Sequence, residues 1–113
     1  MLLAACTGEL EGRSFVAQRV IEDGQERTES LRLEFVDDEL FIPDAGCNDL
    51  MGRYRVEADV FLADSIGGTK IGCFDSPEDW YIEFLTSSPR LELDGERLVL
   101  EGGGTRIDYV EED

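Results

Sequence analysis

Leu91-Glu92-Leu93-Asp94-Gly95-Glu96-Arg97-Leu98-Val99-Leu100 is the stretch that decides the fold. Leucines at alternate positions give one apolar strand face, the two-residue period of a half-buried strand. Asp94-Gly95 is a strong short hairpin signal, and Leu98 and Leu100 bring a second alternating strand back. Gly102-Gly103-Gly104 turns the chain again, and Ile107 and Tyr109 mark a last strand. The unit is therefore antiparallel.

Upstream of this hairpin the sequence predicts one helix. Ser76 suits its N-cap and Pro77 its first position, where a missing N–H costs nothing. Glu78 and Asp79 face the positive end of the helix dipole. Trp80, Tyr81, Phe84 and Leu85 share one helical face, and Ser87-Ser88-Pro89 stops the run. Before the helix, alternation returns. Ser14 to Glu22 reads as a strand with Phe15, Ala17 and Val20 inward, followed by a turn at Asp23-Gly24. Leu31, Leu33 and Phe35 alternate; Leu40 and Ile42 follow the acidic turn at Asp37-Asp38. Pro43 to Gly46 breaks the pattern. Tyr54 and Val56 resume it, and Val60 and Leu62 follow across Ala58-Asp59. Gly67-Gly68 is read as an interruption before Thr69-Lys70-Ile71. The expected class is α+β: mostly antiparallel β, a small curled sheet or partial barrel of about eight strands packed on one helix. Residues 10–113 form one domain, preceded by a short segment over 1–9.

Composition narrows the function classes. The chain has 113 residues, 42% hydrophobic and 33% charged, enough for a real core. It carries 27 acids against 10 bases, a net charge of −17. A nucleic-acid binder needs a basic face, so none is expected. With no histidine, Ser-His-Asp and Cys-His catalysis and His-ligated metals are excluded. No apolar run approaches the roughly 18 residues of a membrane helix. The acidity reads first as a self-repelling surface that keeps the chain monomeric. A basic protein partner and adaptation to high salt are the other readings. Lys70 is the single lysine, which fits a GC-rich genome or a salt-adapted proteome.

Leu3-Ala4-Ala5-Cys6 resembles the lipobox of bacterial lipoproteins, in which a cysteine is acylated and becomes the mature N-terminus. Five residues precede Cys6, less than the apolar stretch of about 7–15 residues that a signal peptide needs. The segment is thus either the remnant of a lipoprotein signal or an N-terminal tag with a free thiol. A lipid on Cys6 is the one membrane attachment expected.

Three further elements resemble the META (HslJ-like) domain family, which includes a heat-inducible lipoprotein. Gly46-Cys47-Asn48 with Gly52 and Tyr54 matches its G-C-N-x-x-x-G-x-Y motif. Thr69 to Cys73 matches T-x-x-x-C. A helix and a Leu-Asp-Gly-x-x-Leu-x-Leu hairpin, here Leu93 to Leu100, complete the order. Leu10, Gly12 and Phe15 match the opening L-x-G-x-x-W, with Phe15 in place of tryptophan. The resemblance covers about Leu10 to Tyr109. It implies a barrel-like fold on one helix, a cell-envelope setting, and links to stress and antibiotic tolerance, with no common catalytic residues.

With Cys6 lipidated, Cys47 and Cys73 remain as a pair, and the family motifs place them in two loops. In an oxidising envelope they form a disulfide, worth roughly 3.5 kcal/mol of chain entropy; in the cytosol they are two buried, inert thiols. Asn48 and Gly52 are read as flanking a turn, glycine for positive φ and asparagine for bonds to its own backbone. Thr69 bonds neighbouring backbone. Trp80, Tyr81 and Phe84 either line a pocket or, as the helical spacing favours, face the core. Paired carboxylates are too frequent to signal a hydrolase. No EF-hand order, GxGxxG or P-loop occurs, so no metal, cofactor or catalytic residue is expected. The expected function is a non-enzymatic envelope module, lipid-anchored or secreted, that binds or supports under stress. The alternative is a small-ligand or lipid carrier using a barrel mouth, with a carboxylate hydrolase last. A cytoplasmic location follows if the lipobox match is accidental.

Overall fold

In the computed structural model, residues 9–27, 30–43, 49–68 and 78–112 are described. The hairpin forms as β7 (Arg90–Asp94) and β8 (Arg97–Gly102). Asp94 pairs with Arg97, so the loop is Gly95-Glu96, one residue later than expected. Gly95 takes φ 62° at the first loop position, where a type II′ hairpin asks for glycine. β9 (Thr105–Glu112) returns from Gly103-Gly104, both at positive φ.

The N-terminal strand β1 (Ser14–Glu22) has the bounds read from the sequence, and Asp23-Gly24 turns it with φ 51° and 82°. β2 (Gln25–Arg27) and β3 (Arg32–Val36) both run antiparallel to β1. Val16 faces Arg32 and Val20 faces Arg27, and between them Ala17 N donates to Leu31 O at 2.8 Å. β2 and β3 therefore share one edge of β1 and occupy one strand position. On its other edge β1 pairs along its whole length with β9, and Gln18 is the extra residue there. This bulge explains how Phe15 and Val20, five apart, both point inward.

β4 (Glu39–Ile42), β5 (Leu50–Glu57) and β6 (Val60–Gly68) continue the sheet to β7. The β1–β9 pairing closes it into a ring of eight strand positions. The curled-sheet expectation holds, carried to closure. The ring is weakest between β6 and β7. There Val60 pairs with Arg90, and flanking backbone bonds join Phe61 N to Pro89 O (2.8 Å) and Leu91 N to Asp59 O (2.7 Å). Helix α1 (Glu78–Thr86) packs against β6 beside this seam. Its expected cap, Ser76-Pro77, lies outside the described residues.

Two expectations change in β6. Phe61, not Val60 or Leu62, is the fully buried residue. The two-residue turn Ala58-Asp59, with φ 49° and 65°, sets Glu57 opposite Val60 and Val56 opposite Phe61. Gly67-Gly68 does not interrupt the strand: Met51 pairs with Gly67 and Leu50 with Gly68. A Cβ on Gly68 would run into the backbone carbonyl of Asp49, so glycine here permits close approach.

The ring is filled. Phe35 packs on Phe15 (5.9 Å between centroids), Tyr54 (4.7 Å) and Phe61 (6.2 Å). Leu33, Leu40, Ile42, Leu98, Leu100 and Ile107 are fully buried around these rings. From the helix, Tyr81 reaches Tyr109 on β9, their hydroxyls 2.7 Å apart in the core.

Candidate functional site

Helix α1 presents two adjoining faces. Tyr81 and Leu85 go to the core with Phe84. Trp80, Glu83, Phe84 and Ser87 follow the i, i+3, i+4, i+7 spacing and line a cleft against the β8–β9 turn. The end of β1 supplies Glu22 to the same cleft, and Thr105 closes it from β9. Its volume is about 260 Å³.

Glu22 organises the wall. One carboxylate oxygen accepts from Trp80 Nε1 at 2.6 Å, and the other from Arg27 Nη1 at 2.9 Å. The Arg27 guanidinium lies 4.1 Å over the Trp80 ring. At this partly exposed position the cation–π contact stabilises by about 0.5–1 kcal/mol. Phe84 stacks nearly parallel to Trp80, 11° off, at 6.3 Å. Arg27 also borders a second open concavity of about 570 Å³ at the β1 bulge, lined by Gln18, Arg19, Glu26 and Ser30 among others.

Burial pushes the Tyr81 and Tyr109 hydroxyls well above the ordinary tyrosine pKa. Tyr54, whose OH donates to Asp37 O at 3.1 Å, is pushed up to about 12, chiefly by burial and then by Glu11, Asp38 and Asp37. No carboxylate is buried among the described residues, where Thr105 is the buried polar side chain. The paired buried acids of a glycosidase are thus not found among them. Nor do the described residues hold a group of three or more metal-ligating side chains. No described helix is long and apolar enough to cross a membrane.

Of the site residues read from the sequence, Gly52 and Tyr54 are described; Cys6, Gly46, Cys47, Asn48, Thr69 and Cys73 lie outside the described residues. Tyr54 is a core residue, 4% exposed. Gly52 corrects the expectation of a positive-φ turn: it lies inside β5 with φ outside that region. It sits at the irregularity between Met51 and Arg53, facing Ser65 and Ile66, the first at φ 56°. A Cβ there would meet Ile66 Cγ1 at 2.7 Å and Asp64 O at 2.9 Å. Trp80 combines both readings, half-buried against the core and lining the cleft. Glu22 and Arg27 were not legible beforehand, because single polar residues at strand ends carry no pattern.

The sequence profile of the META domain matches residues 8–113. An NMR structure of a protein from Burkholderia xenovorans is similar, with a TM-score of 0.76 at 19% identity over 94% of this chain and 86% of that one. A second NMR structure gives a TM-score of 0.70 at 17% identity, covering 97% and 95%. These likenesses show the fold. No curated protein matches significantly.

Proposed function

The chain belongs to the META domain family, and from that premise we propose a non-enzymatic binding or structural module of the cell envelope, lipid-anchored or exported, that serves under stress. The observation that carries this reading is adjacency. The lipobox-like Leu3-Ala4-Ala5-Cys6 directly precedes a domain matched from residue 8. A lipid on Cys6 would hold the domain at a membrane surface, with two or more acyl chains for stable anchoring. In that compartment Cys47 and Cys73 pair as a disulfide.

The work of such a module is recognition. Its net charge of −17 selects a basic protein partner, repels nucleic acid and disfavours self-association. The side chains packed inside the ring support recognition at the outer surface over carriage in a barrel mouth. The test is the intact mass of the protein purified from its own host, with and without reduction and alkylation. Loss of Met1–Ala5 with diacylation at Cys6, and two cysteines alkylated only after reduction, is the expected result. An unprocessed chain with three freely alkylated cysteines would place it in the cytosol and overturn the reading.

A further inference from the structure

We propose that the cleft between α1 and the β8–β9 turn seats an arginine or lysine side chain of a basic protein partner. The inference rests on the reading above that the module binds such a partner, and it locates the contact. Glu22 and Glu83 place carboxylates on the cleft, and Trp80 and Phe84 give it an aromatic wall. No lysine or arginine lines it among the described residues. At about 260 Å³ it falls below the ~300–1,000 Å³ usual for small-molecule pockets, and so suits one side chain.

The molecule carries its own precedent for the chemistry. Arg27 approaches the same pair of residues, with its guanidinium 4.1 Å over Trp80 and 2.9 Å from Glu22. It borders the concavity at the β1 bulge and does not line the cleft. The cleft offers an incoming cation an aromatic surface with the Glu83 carboxylate beside it, Glu22 being engaged by Trp80 and Arg27. The net charge steers a cationic partner to the molecule, and the cleft gives it a place to lodge.

Trp80 is the chain's single tryptophan, so its emission reports on the cleft and on the Arg27 contact beside it. The experiment titrates the protein with a decapeptide of alternating arginine and glycine, and with the same peptide carrying neutral citrulline in place of arginine. The arginine peptide shifts Trp80 emission at low salt and the citrulline peptide does not. Glu83→Gln, at an exposed helix position, weakens binding about three- to five-fold, the scale of one exposed ion pair. Glu39→Gln, an equal charge change on β4 outside the cleft, leaves it unchanged. Equal weakening by both substitutions, or binding without a Trp80 response, would overturn the cleft while the basic-partner reading stands. No binding of the arginine peptide at low salt would overturn both.

Discussion

Gly52 and Gly67 share one strand pair, yet a methyl group has opposite consequences at the two positions. At Gly52 it would meet Ile66 and the Asp64 carbonyl; at Gly67 it would meet nothing within 4 Å. Gly52→Ala is expected to lower stability by about 1–3 kcal/mol, and Gly67→Ala to leave it unchanged or raise it by about 0.5 kcal/mol through lower chain entropy. Denaturant unfolding of the two variants checks this; equal effects would mean that the close approach is not limiting. The buried Tyr81–Tyr109 pair gives a second case. Tyr81→Phe strips the Tyr109 hydroxyl of its partner and is expected to cost about 1–3 kcal/mol. Adding Tyr109→Phe removes the orphaned hydroxyl and recovers much of that cost, which a double-mutant cycle measures. The tyrosines also set an alkaline limit. In the unfolded chain they ionise near 10, whereas Tyr54 holds its proton to about 12 and the buried pair holds on more tightly still. The unfolded state therefore loses protons first. Stability is full below about pH 10 and falls as pH rises through the folded values. Phenolate absorbance is expected to appear together with unfolding; its appearance at pH 10 in folded protein would contradict the burial.

Elements were legible where hydropathy and turn chemistry agreed. The bounds of β1, the Asp23-Gly24 turn and the aromatic face of α1 all follow from spacing and turn residues. Val60-Phe61-Leu62-Ala63 has no alternation, so only the turn at Ala58-Asp59 could decide which residue faces inward. Gln25-Glu26-Arg27 holds no apolar residue, so β2 was invisible until its register with β1 was known. The cleft has the same character: its helix residues share a readable spacing, but Glu22, with Arg27 beside it across the β1–β2 turn, meets them only in the folded chain. That anchorage carries its own prediction. Trp80→Phe removes the indole bond to Glu22 and part of the Arg27 contact, and is expected to destabilise by about 1–2 kcal/mol. Arg27→Lys keeps the charge but not the planar stack, and should give a smaller loss in the same measurement.

For the whole molecule, charge and closure act against each other. At −17 the folded surface repels itself, and the melting temperature is expected to rise as salt goes from about 10 mM to about 0.5 M. A flat response would mean that the local ion pairs already offset the repulsion. One such pair, Arg13 to Glu111 at 2.8 Å, joins residues 98 positions apart. The hydrogen bond from Arg13 holds the Glu111 carboxyl below its ordinary pKa. Its contribution is present above the ordinary value and fades as pH falls through the lowered one. The pairing of β1 with β9 also governs when the molecule can come into being. Ser14 meets Glu112 across almost the full length of the chain. A growing polypeptide therefore has no closed ring to form until its last strand leaves the ribosome. Until then β1 lacks its partner strand along one whole edge, and the barrel stays unsealed.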